Sequence, residues 1–287
     1  MEYLVFLQNL RLAAPGWVTE LIRFVSEVSE SSIALGVLAL IYWTLNKALG
    51  TYMLMNFSGA YMFNTILKNI FRVPRPFLRD ERLTPHYRAT GFSFPSGHTM
   101  LGTSLYTSVA VYVRKQKWAV GLCALLVLMT AFGRNWLGVH TPQDVIVGIA
   151  ASCAVAAWNA FVLRWVDKNP EKDWLVCAAD ALIAAAVLAL IPGSGKVVGI
   201  FMGVAVGWLL ERRFVKFTPE GSVLQRIVLG ALGIGAVLVL YKVALPALFS
   251  PFGEAKTGLV QFGTFLTVTA GWPAVMAAVN RALKSKK

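Results

Sequence analysis

Residues 117–163 read KWAVGLCALLVLMTAFGRNWLGVHTPQDVIVGIAASCAVAAWNAFVL, two long apolar runs joined by a short polar link. The runs, 117–137 and 142–163, each reach the length of about 20 residues that an α-helix needs to cross the hydrocarbon core of a bilayer. Because only four residues separate them, the two helices must turn back at one membrane surface. The stretch predicts a pair of transmembrane helices with a polar turn between them.

The composition extends this interpretation to all 287 residues. Hydrophobic residues make up 57% and charged residues 14% of the chain, whereas a soluble globular protein carries about 25% charged residues. We therefore expect an all-α fold: a polytopic membrane helical bundle of about nine transmembrane helices, preceded by an N-terminal interfacial helix over residues 1–16. The predicted spans are 18–45, 48–70, 98–113, 117–137, 142–163, 174–191, 195–210, 222–245 and 258–282.

The net charge of +13 indicates contact with a membrane surface. In a chain this apolar, basic loops facing an anionic membrane explain the charge, so no nucleic-acid partner is expected. The positive-inside rule places the more basic set of loops in the cytoplasm. The C-terminus is then cytoplasmic, and the polar segment 71–97 faces outward. The fifteen basic residues on the predicted cytoplasmic side are Lys47, Arg114, Lys115, Lys117, Arg164, Lys168, Lys172, Arg212, Arg213, Lys216, Arg226, Arg281, Lys284, Lys286 and Lys287.

Three polar clusters stand out against this apolar background. In the predicted topology they lie at helix ends that share one membrane surface, which predicts a single polar pocket. The chemistry then falls within residues 1–165, the predicted catalytic core, and the helices of 166–287 are predicted to be structural or of unknown role. The clusters are Lys68 with Arg75-Pro76, then Pro95-Ser96-Gly97-His98, and then Arg134 with His140 and Asp144.

The first part of the expected chemistry is phosphate binding. Lys68, Arg75 and Arg134 supply three cations, and the planar guanidinium group of arginine matches phosphate oxygens. Ser96 and Gly97 precede a helix, so their hydroxyl and backbone N–H groups can point at an anion. No cluster of carboxylates, cysteines or histidines is typical of a metal site, so neither a metal nor a cofactor is expected.

The second part is nucleophilic attack. His140 and Asp144 are four residues apart on a turn entering a helix, so the carboxylate can hold one ring nitrogen protonated and leave the other free to attack. His98 can then protonate the departing oxygen as a general acid. Together with the three cations, these residues predict phosphoryl transfer without a metal.

The three clusters resemble the signature of the type-2 phosphatidic acid phosphatase and vanadium haloperoxidase superfamily, which is K-x6-R-P, P-S-G-H and S-R-x5-H-x3-D. The resemblance covers residues 60–150. It implies that His140 becomes phosphorylated, that Asp144 orients it and that His98 protonates the leaving group. One departure is Gly133, which stands where the family usually has serine. The residues implied to hold the phosphoryl oxygens are Lys68, Arg75, Ser96, Gly97, His98 and Arg134.

The predicted function is therefore a metal-independent membrane phosphatase of the lipid phosphatase branch. Its expected substrates are lipid phosphomonoesters or diphosphates, namely phosphatidate, phosphatidylglycerophosphate, a sphingoid-base phosphate or a polyprenyl diphosphate. Three alternatives stay open: a lipid phosphotransferase using the same site, a phosphatase of a soluble sugar phosphate, and a catalytically silent lipid-binding or transport protein. The complete set of motifs argues against the last, since binding alone does not need the pair of His140 and Asp144.

A glycine repeat lies outside the motif region. Gly195, Gly199, Gly203 and Gly207 recur every four residues along one face of a predicted span. Such a face lets another helix approach closely. Packing within the chain is the favoured interpretation, and a homodimer contact through this face is the alternative.

Overall fold

The computed structural model describes residues 1–30 and 32–285, so Lys286 and Lys287 of the predicted cytoplasmic set lie outside the described residues. Every regular element of the described chain is helical, which confirms the all-α prediction. The helices are α1 (Glu2–Ala13), α2 (Gly16–Glu27) with a 3₁₀ turn after it (Val28–Glu30), α3 (Ser32–Leu40), α4 (Lys47–Phe71), α5 (Pro76–Arg79), α6 (Gly97–Tyr112), α7 (Lys117–Trp136), α8 (Pro142–Lys168), α9 (Asp173–Leu190), α10 (Gly195–Leu210), α11 (Val223–Val239), α12 (Leu245–Leu248), α13 (Ala255–Leu266) and α14 (Trp272–Lys284).

The chain forms two compact units. The first comprises Met1–Ala34 and Gly59–Trp158, and the second comprises Leu35–Ser58 and Asn159–Lys287. All eight predicted site residues belong to the first unit. The predicted functional division between residues 165 and 166 stays a prediction, because these units are defined by packing and not by chemistry.

In the first unit, α7 packs against α1, α2 and α6. Its C-terminal end and the turn that follows bury Trp136, Leu137 and Val139 in a cluster with Leu7 of α1. The N-terminal helices are therefore part of the core beneath the polar turn that carries His140.

Within the polar segment 71–97, the part between α5 and α6 is held in place by backbone hydrogen bonds. His86 N donates to Leu137 O over 2.9 Å, and Ser93 N donates to Val73 O over 2.8 Å. Ser96 N donates to Asp144 O over 3.0 Å, which joins the start of α6 to the start of α8. These bonds fix an irregular segment in one place against the helices.

Gly133, the departure from the family motif, lies where α7 meets α2. A Cβ atom at this position would lie 2.7 Å from the Cβ atom of Ser26, closer than side chains approach in folded proteins. Ser26 is fully buried there, and its hydroxyl donates to Arg23 O over 3.0 Å. Glycine is therefore required by the close approach of α2, which occupies the space that a serine side chain would need.

In the second unit, the glycine face of α10 is covered by α13 and by the π-helical residues Thr267–Gly271 that follow it. A Cβ atom at Gly199 would lie 2.1 Å from Gly258 O, and one at Gly203 would lie 2.7 Å from Phe262 O. The favoured interpretation of packing within the chain is confirmed. The face is occupied by the chain itself, and dimerisation stays an untested prediction.

The apolar helices make the chain a multi-pass membrane protein, but the predicted number of nine spans is not confirmed. The five described helical stretches that are long and apolar enough to cross a membrane alone are Lys117–Trp136, Pro142–Lys168, Pro170–Leu190, Val223–Leu248 and Ala255–Lys284. A sixth span is present if Gly16–Glu30 and Ile33–Leu45 together form one broken span.

The other predicted spans differ in length or polarity. Helices α6 and α10 have 16 residues each, about 24 Å at 1.5 Å per residue, which is shorter than a hydrocarbon core of about 30 Å. Helix α4 has 25 residues but carries Asn56, Asn64 and Lys68 among its apolar residues. The predicted count of nine spans therefore stays a prediction.

The predicted interfacial helix forms as α1 and ends before Pro15, where α2 begins with Gly16. It turns Leu4 and Leu7 inward and exposes Tyr3 and Phe6. Its location at a membrane interface stays a prediction.

Gly133→Ala is expected to destabilise the protein by about 1–3 kcal/mol, because the added methyl group overpacks the contact with Ser26. Thermal unfolding of the purified protein in detergent measures this loss. Gly121→Ala is the matched control, since it lies on the same helix with no atom within 4 Å of the added Cβ. Adding Ser26→Gly should restore the stability of Gly133→Ala. Equal melting temperatures for the two alanine variants would contradict the close contact.

Candidate active site

Five helix ends in the first unit supply the predicted site residues. Lys68 lies in the last turn of α4, and Arg75 caps the start of α5. Ser96 caps α6, and Arg134 lies in the last turn of α7. The remaining residues of the site are Gly97 and His98 in the first turn of α6, His140 between α7 and α8, and Asp144 in the first turn of α8.

His140 and Asp144 form the buried centre of the site, each 2% exposed or less. The Nδ1 atom of His140 lies 3.3 Å from Asp144 Oδ2. The same carboxylate oxygen accepts hydrogen bonds from Ser93 Oγ and, over 2.8 Å, from Thr141 N. A carboxylate with this many donors stays ionised, so it holds a proton on Nδ1 of His140.

Arg75 faces the other nitrogen of the ring. Its Nη1 atom lies 2.8 Å from His140 Nε2 and also donates to Val139 O over 3.0 Å. Its Nη2 and Nε atoms donate to Thr90 O and Gly91 O over 2.8 and 3.1 Å. Since a guanidinium group only donates, Nε2 is the acceptor and keeps its lone pair. Arg75 thus fixes the same tautomer as Asp144 does.

Burial holds the pKa of His140 well below its ordinary value, and the cations Arg75, Arg134 and Lys68 act in the same direction. The imidazole is therefore neutral at pH 7, as a nucleophile must be. Its free lone pair is on Nε2, which faces the cation Arg75.

Arg134 is 1% exposed and is held by a tyrosine and a glutamate. Its Nη2 atom donates to the hydroxyl of Tyr87, and its Nη1 atom lies 3.6 Å from Glu27 Oε1. Tyr87 in turn hydrogen-bonds to Glu27, and burial raises the pKa of Tyr87, so the hydroxyl keeps the proton that it donates. The Nε and Nη1 atoms of Arg134 make no hydrogen bond within the described residues. Buried donors in this state are stabilised by an incoming anion.

Lys68, the third predicted cation, is half-buried and donates to Phe92 O. Its positive charge interacts electrostatically with both His140 and Asp144. The structure thus brings together the three cations, the histidine and the carboxylate that the sequence predicts as one site.

Ser96 and Gly97 have structural partners in this state. The hydroxyl of Ser96 accepts from Thr99 Oγ1 over 2.9 Å and caps α6 through Thr99 N. A Cβ atom at Gly97 would lie 3.2 Å from Oδ1 of Asn64, whose Nδ2 atom donates to Pro95 O. Both residues shape the turn before α6, and their contact with phosphate stays a prediction.

His98 has a partner that the motifs do not include. Its Nε2 atom lies 2.9 Å from Oε2 of Glu30, at the end of the 3₁₀ turn that follows α2. Sequence reasoning also missed Glu27, Tyr87 and Ser93 as parts of the site. The available signal was the pair of carboxylates, Glu27 and Glu30, three residues apart in the charged first half of a predicted span.

Comparison with known proteins gives two family matches, the PAP2 superfamily over residues 32–171 and the PAP2 superfamily phosphatase, transmembrane extension, over residues 195–284. Phosphatidylglycerophosphatase B of Bacillus subtilis (strain 168) is 25% identical over 146 residues, which cover 47% of this chain and 70% of that protein. Undecaprenyl-diphosphatase BcrC of the same organism is 33% identical over 131 residues, which cover 44% of this chain and 62% of that protein.

One solved structure is also similar, the crystal structure of the first transmembrane PAP2 type phosphatidylglycerolphosphate phosphatase from Bacillus subtilis. Its TM-score is 0.44 and its sequence identity 20%, over 58% of this chain and 85% of that chain.

The first family match includes all eight predicted site residues and the three motifs that carry them. The second covers α10 to α14, for which the motifs give no account. The resemblance stated from the sequence is confirmed, and the chain belongs to the PAP2 superfamily.

Proposed function

We propose that this chain is a membrane phosphatase that hydrolyses a lipid phosphomonoester or diphosphate through a phosphohistidine formed on His140. The state of His140 carries the proposal. The ring is buried and neutral, its Nδ1 atom is held by Asp144, and its Nε2 atom faces Arg75 at 2.8 Å. A histidine that serves only packing needs neither the ionised carboxylate nor the cations around it.

The first step transfers the phosphoryl group to the protein. The Nε2 atom of His140 forms a bond to phosphorus while the bond from phosphorus to the leaving oxygen breaks. Asp144 stabilises the positive imidazole that results, and His98 gives its proton to the leaving oxygen. The N–H group of Arg75 that now faces Nε2 is in position to bind a phosphoryl oxygen when the substrate enters.

The second step returns the site to its starting state. Water attacks phosphorus, the bond between phosphorus and Nε2 breaks, and His98 takes the proton from water. Lys68, Arg75 and Arg134 supply three positive charges for the developing negative charge of the phosphoryl oxygens in both steps. Because these side chains do the work that a metal ion does in other phosphatases, the proposed activity does not depend on a metal.

The lipid assignment is supported by the site's position at helix ends and by the relatives. Helix ends meet the headgroup region of a membrane, so a lipid can present its phosphate there and keep its tails in the bilayer. The similar proteins are named phosphatidylglycerophosphatase, undecaprenyl-diphosphatase and lipid phosphate phosphatase. Phosphatidate, phosphatidylglycerophosphate, a sphingoid-base phosphate and a polyprenyl diphosphate fit this chemistry.

The alternatives use the same residues differently. A lipid phosphotransferase would replace water by another acceptor in the second step, and a soluble sugar phosphate would reach the site from water. A silent lipid-binding or transport protein is disfavoured, because binding does not require an oriented neutral histidine.

The distribution of basic loops supports an outward orientation, with the site on the extracytoplasmic side of the cell membrane and the C-terminus in the cytoplasm. The proposed substrate is therefore a lipid of the outer leaflet.

His140→Ala is expected to lower phosphate release by about 10⁴-fold or more, because the nucleophile is lost. Phosphate release from a panel of lipid phosphates in EDTA measures this loss and the independence from metal together. His86→Ala is the matched control: His86 also faces a carboxylate, Glu20, at 3.1 Å, but lies outside the site. A folded His140→Ala variant within tenfold of the wild type would exclude the mechanism.

A long-chain lipid phosphate should be cleaved with kcat/KM at least 100-fold above that of glucose 6-phosphate in the same preparation. The reason is that tails left in the bilayer avoid a cost of about 0.8 kcal/mol for each CH₂ group moved into water. Equal or higher efficiency on the sugar phosphate would reject the lipid substrate and leave the histidine chemistry in place.

His86→Cys is expected to react with a membrane-impermeant thiol reagent in intact cells, whereas Lys115→Cys should react only after the cells are opened. The reason is the predicted outward position of segment 71–97. Labelling of the wild-type chain controls for its own three cysteines. The opposite labelling pattern would place the site in the cytoplasm.

A further inference from the structure

We propose that Glu30 is a positioning residue for His98 and selects which nitrogen of that ring exchanges the proton with the leaving group. The inference rests on the proposed function and extends it to a residue outside the three motifs. Its geometric basis is the distance of 2.9 Å between His98 Nε2 and Glu30 Oε2.

The position of Glu30 follows from firm packing of the segment that carries it. Ser29, the preceding residue, is 1% exposed, and its Oγ atom would lie 3.3 Å from a Cβ atom added to Gly102 of α6. In α2, which precedes this turn, Thr19 Oγ1 accepts from Trp136 Nε1 over 3.2 Å. The 3₁₀ turn thus packs against α6 while the helix before it packs against α7, and Glu30 meets His98 at the start of α6.

A second carboxylate on this segment supports the same role. Glu27 lies one turn earlier, 3.6 Å from Arg134, and also hydrogen-bonds to Tyr87. The segment therefore presents one carboxylate to a cation of the site and another to the proposed general acid. The charged groups that act on His98 are Glu30 and Glu27 from this segment and Arg134 from α7.

The family motifs do not account for either carboxylate. The match to the PAP2 superfamily begins at residue 32, and the first motif begins at Lys68. Glu27 and Glu30 are contributed by the segment before the matched region, which the motifs leave without a function.

The proposed role of Glu30 follows from the two nitrogen atoms of the His98 ring and the protons that they carry. A hydrogen bond from Nε2 to the carboxylate keeps a proton on Nε2, so Nδ1 is the atom that gives its proton to the leaving oxygen. After that transfer the ring is neutral, Nε2 keeps its proton, and Nδ1 has the lone pair that takes a proton from water. The Glu30 carboxylate also stabilises the positively charged ring before the transfer.

The test compares leaving groups, since a general acid matters most when the leaving oxygen is strongly basic. We expect Glu30→Gln to lower kcat/KM roughly 10–100-fold for a long-chain alkyl phosphate. For p-nitrophenyl phosphate, whose leaving group needs no proton, the loss should stay below about threefold. The ratio kcat/KM reports the steps up to phosphorylation of His140, so hydrolysis of the phosphohistidine does not obscure the comparison.

Further variants separate positioning from a general structural role. His98→Asn should show the same preference for the good leaving group, and adding Glu30→Gln to it should cause no further loss. Glu27→Gln should lower kcat/KM equally for both substrates, because Glu27 contacts Arg134, which is proposed to bind the phosphate.

Glu20→Gln is the control for a charge change on the same helix, since Glu20 is exposed and pairs with Arg23 and His86. Glu30→Asp keeps the negative charge but moves the carboxylate away from His98. Its kcat/KM for the alkyl phosphate should therefore lie between those of the wild type and Glu30→Gln.

Each outcome decides the inference. Equal losses on the two substrates, or a rise in activity because Glu30 blocks the leaving group, would overturn the role of Glu30 and leave the proposed phosphatase standing. If Glu30→Gln does not fold, the same comparison on Glu30→Asp decides it. A folded wild type without activity on either phosphate would instead overturn the proposed function itself.

Discussion

The hydrogen bonds that converge on the carboxylate of Asp144 are the interaction on which the site depends. One oxygen accepts from the ring of His140, the hydroxyl of Ser93 and the backbone of Thr141. These donors come from the polar segment before α6 and from the turn before α8. A buried carboxylate costs several kcal/mol unless it is satisfied. The irregular segment is therefore tied to the helix ends by the same carboxylate that orients His140.

Burial and the charges around His140 keep its ring neutral. Arg75 donates to the backbone carbonyl groups of Thr90, Gly91 and Val139, and its Nη1 atom also faces His140. Arg134 leaves two buried donors without a hydrogen bond within the described chain. Fixed cations beside a buried ring disfavour a positive charge on that ring and favour an anion next to it. The same electrostatic field thus supports both parts of the proposed function, a bound phosphate and a neutral histidine beside it.

The sequence allowed the all-helical fold and the membership of the three motifs in one unit to be predicted, because hydrophobic runs and motif spacing are local signals. The predicted number of spans is not confirmed, since α6 and α10 are apolar but short, and α4 is long but carries polar residues. Glu30 and Glu27 were not predicted as site residues for a different reason. Their partners, His98 and Arg134, are distant in sequence, and only tertiary packing shows which face of α2 and of the 3₁₀ turn after it meets the site.

Gly133 shows how such packing can change a motif without removing the site. The motif usually has serine there, but in this chain α2 approaches so closely that a Cβ atom has no room beside Ser26. The same approach brings Glu27 within 3.6 Å of Arg134. Glycine at position 133 is thus the local condition that lets α2 contribute a carboxylate to the site. The motif usually has the hydroxyl group of a serine at this position. In this chain the carboxylate of Glu27, on a helix that the motif does not contain, lies beside the buried guanidinium group of Arg134.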